Sequence, residues 1–232
     1  MTLEIKEISK TINGMQILDK VQFTIPRGTL TILSGHNGAG KTTLLKILAG
    51  LIKPTWGSIV WQSNICTHNN AYRRIVGYAG HDLMLYENLT ARENLLLFAK
   101  LYKVKNPMDK IETLGKSIGY LTCMDQIVAN LSKGMRQKVS IARSLLHNPQ
   151  IVLMDEPFTG LDIRARERLV TIIKDLLNQE KHLIIALHDI EKLSSLAHQI
   201  VFLNRGTISH IEFSCGKSEK CEGKKLAASG GE

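Results

Sequence analysis

The run Gly35-His36-Asn37-Gly38-Ala39-Gly40-Lys41-Thr42 fits the spacing GxxxxGK[ST], and Thr43 adds a second hydroxyl. Its chemistry is that of a polyphosphate cradle. Glycines let the chain curl until successive backbone N–H groups point inward at phosphate oxygens. Lys41 can reach the β- and γ-phosphates, and the Thr42 hydroxyl can ligate Mg²⁺. A helix opening near Lys41 would add the equivalent of ~+0.5 charge at its N-terminus. His36 stands at a position the spacing leaves free.

Two carboxylates, Asp155 and Glu156, end the apolar run Ile151-Val152-Leu153-Met154. In an open α/β sheet, ligands sit at the carboxyl ends of the strands, the edge a phosphate loop also occupies. There Asp155 can hold Mg²⁺ directly or through water, and Glu156 can take a proton from an attacking water. His188 closes a second apolar run, Leu183 to Leu187. Its place at a strand end directs it to the same edge.

These groups need a sheet to hold them. Leu30-Thr31-Ile32-Leu33 is short, partly β-branched and followed by Gly35, which predicts a buried strand leading into the loop. From Thr42 to Leu51 the apolar residues Leu44, Leu45, Ile47, Leu48 and Leu51 lie at helical spacing, with Pro54 as the stop. Alternation at Leu3-Ile5 and Val21-Phe23-Ile25 predicts short strands, and Ile59–Trp61 and Ile75–Tyr78 predict others. Between Thr90 and Tyr120 the pattern turns helical, an insertion that extends to about Leu146. The continuous apolar runs 151–154 and 183–187, flanked by helical segments, predict a parallel sheet covered on both faces.

The chain has 232 residues, 44% hydrophobic and 22% charged, which suits one compact domain with a small inserted subdomain. Its net charge of +9 fits an anionic partner such as nucleotide phosphates, nucleic acid or a membrane surface, or simply a solvated basic exterior. Cys66, Cys123, Cys215 and Cys221 show no metal-ligand spacing, so free thiols are expected. No stretch predicts a secretory leader, and no apolar run nears the ~20 residues of a membrane helix. Any membrane link would come through a partner. Beyond Phe213 the composition shifts to Gly, Ser, Lys and Glu, which predicts a flexible tail over 214–232.

The segment Asn130-Leu131-Ser132-Lys133-Gly134-Met135-Arg136-Gln137 lies just upstream of the acidic strand. With the phosphate loop and Asp155-Glu156, it resembles the ATP-binding subunits of ATP-binding cassette (ABC) transporters, whose signature usually reads LSGGQ. The resemblance runs from about Leu3 to Phe213. It implies a P-loop NTPase (RecA-like) α/β core, an N-terminal antiparallel β subdomain and a helical subdomain at about 82–146, all within residues 1–213. The implied substrate is ATP with Mg²⁺. Two copies would pair head-to-tail, with Ser132 and Gly134 contacting the γ-phosphate held by the other copy. Glu156 matches the catalytic base, His188 the switch histidine, and Asp162 in Gly160-Leu161-Asp162 the loop that communicates between the two sites. The chain would sit on the cytoplasmic face of a membrane through an integral membrane permease.

The pattern departs from the family at three places. The adenine-stacking aromatic is replaced, by spacing, with Ile12; the signature reads LSKGM; and His81 stands where the family has a Mg²⁺-touching glutamine. Gly80-His81, Leu89-Thr90 and Glu93-Asn94-Leu95, with Asp155-Glu156-Pro157-Phe158-Thr159, are similar to the haem exporter ATPase of cytochrome c maturation. The Ser-Lys-Gly-Met signature also occurs among other exporters, so the ATPase subunit of another ABC-2 type exporter is one alternative. A soluble ABC ATPase acting with a scaffold or nucleic acid is the other alternative. Against nucleic acid, no recognition helix or aromatic-interleaved basic patch is visible, and aromatics are only 5%.

Overall fold

The computed structural model describes residues 2–66 and 69–214. Cys215, Cys221 and the expected tail beyond Ser214 lie outside the described residues. The chain opens with β1 (Thr2–Ile12) and β2 (Met15–Pro26), followed by β3 (Leu30–Ser34) and α1 (Lys41–Leu48). Next come β4 (Trp56–Trp61), β5 (Asn64–Ile65), α2 (Asn70–Arg74) and β6 (Val76–Ala79). Three helices follow: α3 (Ala91–Leu101), α4 (Pro107–Ile118) and α5 (Lys133–Leu145). Then β7 (Ile151–Asp155), α6 (Ile163–Asn178), β8 (His182–Ala186), β9 (Gln199–Asn204) and β10 (Thr207–Phe213) complete the described fold.

Two sheets organise these elements. A four-stranded antiparallel sheet has the order β2-β1-β4-β5, and a six-stranded sheet the order β10-β9-β3-β8-β7-β6. Within the larger sheet β6, β7, β8, β3 and β9 run parallel, and β10 alone pairs antiparallel to β9. Strand pleating sends alternate residues to opposite faces. Accordingly Val152 and Met154, with Leu183 and Ile185, join the core under the helices, whereas Ile151 and Leu153, with Ile184 and Ala186, join the core around α1 and the antiparallel sheet. That double burial is why β7 and β8 read as unbroken apolar runs.

Three expectations are revised. β1 and β2 are long strands of 11 and 12 residues, not short ones. Their register slips between Ile5 and Ile8, and Glu7 and Lys20 adopt positive φ. These bulges break the period-2 pattern, so only its end pieces are legible in sequence. The helix after the phosphate loop ends at Leu48 rather than Leu51, because Gly50 at φ +70° turns the chain out of the helix. The strand expected from Ile75 starts at Val76, since Ile75 caps the short helix α2.

Helix α1 owes its position to burial. Leu44, Leu45, Ile47 and Leu48 are almost fully enclosed, and each such side chain contributes ~1.5–3 kcal/mol. No side chain caps its N-terminus. Its first N–H groups therefore remain available to an anion.

Candidate functional site

The loop between β3 and α1 carries the phosphate-binding sequence to the carboxyl edge of the parallel sheet. Gly40 immediately before α1 has φ +103°, and a Cβ there would stand 2.6 Å from Leu18 Cδ2. Only glycine satisfies both the backbone and the space. Lys41 is 7% exposed, so its ammonium is held inside the loop, donating to the carbonyls of Gly35 at 2.5 Å and His36 at 3.1 Å. Burial lowers its pKa, against the opposing pull of Glu156 and Asp155. A phosphate oxygen would compete for the same ammonium with a full negative charge.

β7 delivers the carboxylates. The Thr42 hydroxyl donates to Asp155 Oδ2 at 2.7 Å, so one hydroxyl and one carboxylate form a hard oxygen pair beside the loop. That donor set fits Mg²⁺, which takes few protein ligands and fills its octahedron with water and phosphate oxygens. Among the described residues no group of three His, Cys, Asp or Glu side chains forms an all-protein metal cage.

Glu156 has left the strand. Its φ of 50° is unusual for a residue with a side chain, and its N–H donates to the Ala186 carbonyl of β8 at 3.0 Å. The turn aims the carboxylate at His188, whose Nε2 lies 3.5 Å from Glu156 Oε1. That separation suits an ion pair and is loose for a hydrogen bond, and Oε1 is buried with no hydrogen-bond partner. Burial raises the carboxyl above its ordinary pKa, with His188 and Lys41 pulling it back down. A buried basic oxygen with no hydrogen-bond donor on it, facing a phosphate loop, is equipped to take a proton from water.

These groups meet around one open cleft of about 650 Å³, lined by Asn37 to Thr43 and by His81, Asp155, Glu156 and His188. Gly35 and His36 form the base of the loop rather than the lining. Asp82, Thr159, Lys46 and Ile17 also line the cleft, and sequence reasoning had not singled them out. Asp82 was within reach, since it is a carboxylate just past the carboxyl end of β6. Ile12 is not part of the lining; Ile17 of β2 is.

Ser132, Gly134 and Asp162 lie away from this cleft and stand close to one another. Ser132 caps α5, accepting from the Met135 N–H at 3.2 Å, so this helix opens at Lys133. Asp162 caps α6, accepting from the Ala165 N–H at 2.8 Å, while Lys138 of α5 reaches its other oxygen at 3.4 Å. Gly134 packs so closely on the Gly160 carbonyl that an added Cβ would collide with it. Gly134→Ala should therefore push α5 off the 160–162 loop and destabilise the fold by ~1–3 kcal/mol, read as a lowered Tm.

Helix α5 also ties this region to the segment after β6. Arg143 donates to the Tyr78 carbonyl at 2.7 Å, Ser140 to the Leu83 carbonyl at 3.1 Å, and Gln137 to the Pro157 carbonyl at 3.4 Å. Beside them lies a groove of about 410 Å³ walled by Leu83, Met84, Leu85, Glu87, Val128 and Arg136. His81 and Asp82 line both this groove and the nucleotide cleft.

With this geometry in view, the comparison with known proteins is decisive. The ABC transporter family model matches residues 18–159. The chain belongs to the ABC transporter family. It is 36% identical to the ABC transporter ATP-binding protein NatA of Bacillus subtilis, over 81% of this chain and 78% of NatA. It is 33% identical to the probable sulfate/thiosulfate import ATP-binding protein CysA of Chlorella vulgaris, over 91% of both chains. The dimeric structure of MJ0796, a bacterial ABC transporter cassette, matches with a TM-score of 0.85 at 26% identity, covering 92% of this chain and 99% of that one. MJ0796 has also been solved in a post-hydrolysis state bound to ADP and Pi. The P-loop α/β fold and the ATP hydrolase class follow, and this ABC protein is an ATP-binding subunit. Neither relative's name mentions haem. Among the described residues no helix is long and apolar enough to cross a membrane.

Proposed function

We propose that this chain is the ATPase subunit of a haem-exporter-type ABC transporter serving cytochrome c maturation, working as a head-to-tail dimer on an integral membrane permease. The observation that carries the coupling role is that His81 and Asp82 belong to two cavities at once, the nucleotide cleft and the adjoining groove. A permease segment seated in that groove would touch the same two residues that face the nucleotide. The segments Gly80-His81, Leu89-Thr90 and Glu93-Asn94-Leu95 support the haem-exporter branch.

In the proposed reaction, backbone N–H groups of residues 37–43 and the Lys41 ammonium hold the β- and γ-phosphates. Thr42 and Asp155 would hold Mg²⁺, which supplies charge neutralisation on the phosphate oxygens. Glu156 accepts the proton of the attacking water, and His188 orients the terminal phosphate. Ser132 and Gly134 present the N-terminus of α5 to the nucleotide of the other copy. Because the base must be ionised and burial holds Glu156 above the ordinary 4.5, turnover should fall on acidification with an apparent pKa above that value. A pH–kcat profile checks this, and an acid limb at or below the ordinary carboxylate range would count against it.

Purification from membranes tests the assignment. The expected result is a co-purifying hydrophobic permease subunit with haem in its absorbance spectrum. A permease without haem would favour another ABC-type exporter. Salt-sensitive retention of nucleic acid without a permease would favour the soluble alternative.

A further inference from the structure

The turn between β9 and β10 is built against the phosphate loop, although it lies far from it in sequence. Its two central residues, Arg205 and Gly206, have φ of 45° and 84°, the pattern of a tight two-residue hairpin turn. The Gly206 N–H donates to the Ala39 carbonyl of the phosphate loop at 3.1 Å. The Gly206 carbonyl accepts from the Asp19 N–H of β2 at 2.9 Å, and a Cβ on Gly206 would run into the Ile17 carbonyl. On the other side Gly35 abuts the Leu203 carbonyl. The turn thus touches both walls of the nucleotide cleft.

His36 completes this contact with its side chain. Its Nδ1 lies 2.8 Å from the Asn37 carbonyl oxygen, and its Nε2 lies 3.0 Å from Asn204 Oδ1. Both partners are oxygen acceptors, so both ring nitrogens donate when the imidazole is charged. The charged groups facing it are Lys41 from α1 and Arg205 from the turn, and both oppose protonation. The hydrogen bonds to Asn37 and Asn204 outweigh them and raise the pKa above 6.5. A neutral ring can donate to only one of them: the Nε2–H tautomer keeps Asn204 and sets a bare Nδ1 against the Asn37 carbonyl, while the Nδ1–H tautomer keeps Asn37 and needs the Asn204 amide to turn over and offer its NH₂.

We propose that His36 is a positioning residue whose imidazolium clips the phosphate loop to the β9–β10 turn through Asn204, and so sets ATP affinity. This rests on residues 35–43 being the phosphate loop. The clip holds the carbonyl of the Asn37–Gly38 peptide, in the stretch of the loop that lines the nucleotide cleft. Without it the loop must be ordered at the cost of binding energy.

The test is a double-mutant cycle on the full chain, with ATP Kd measured by calorimetry and kcat measured in parallel. His36→Ala and Asn204→Ala should each weaken ATP binding ~2–10-fold, the span expected for one partly exposed hydrogen bond. Turnover at saturating ATP should fall less than affinity does. The double variant should bind no worse than His36→Ala, because both substitutions remove the same interaction. From pH 6 to pH 8, parental affinity should weaken relative to His36→Ala, a comparison in which the titration of ATP itself cancels. Tm without nucleotide separates this effect from a folding defect. Multiplicative losses in the double variant, or identical pH responses, would overturn the clip. If His36→Ala binds ATP like the parent while Lys41→Ala does not, the clip fails and the phosphate-loop assignment stands.

Discussion

Glu156→Gln should lower ATP turnover ~10²–10⁴-fold while ATP binding survives. Glutamine keeps the size and planar shape of the side chain but has no basic oxygen to receive a proton from water. Its nearest neighbours do not replace it, since Asp155 is occupied by the Thr42 hydroxyl and His188 faces the same carboxylate. The backbone at this residue is held by the Ala186 carbonyl and not by the side chain, so the loop should keep its form. Phosphate release gives the rate and equilibrium ATP binding gives the control. In the proposed head-to-tail dimer hydrolysis would release the two copies from each other, so on that proposal the variant should also run as a dimer in MgATP by size-exclusion chromatography. Parental turnover in Glu156→Gln would remove this residue from the base role.

Lys41→Ala should weaken ATP binding ~10–100-fold, the range for losing a charge-assisted hydrogen bond. Whatever binds should react ~10²–10³-fold more slowly, because the same ammonium stabilises charge that develops in the transition state. The effect is large because this lysine is enclosed. Its ammonium works where water screens poorly, and its two carbonyl partners would lose their donor. Lys41→Arg should recover little, since the planar guanidinium is too large for a loop closed around a compact charge. Tm without nucleotide provides the folding control. An ATP affinity matching the parent in Lys41→Ala would sink the proposed phosphate contact.

The proposed coupling has a physical counterpart in α5. That helix holds the Gly134–Gly160 contact at its start, the Pro157 carbonyl in the middle, and the Leu83 and Tyr78 carbonyls toward its end. A displacement of the groove would thus reach the loop following Glu156 through one rigid element.

Residues 35–43, the carboxylates of β7 and the histidine after β8 were legible in the sequence for one reason. Each stands at the carboxyl end of a strand buried on both faces, and such a strand writes an apolar run whose end marks the ligand edge of the sheet. The types needed to hold a phosphate and a cation stand right at those ends. What lay beyond reach depends on contacts between distant segments. The bulged register of β1 and β2 hid two long strands behind broken alternation. His36 looked like a free position until folding set it against Asn204, 168 residues away. The double duty of His81 and Asp82 likewise needed the helices to close a groove beside the nucleotide cleft. Periodicity and spacing report what a residue does with its chain neighbours; which turn comes to rest against which loop is decided by packing, and only the folded chain shows it.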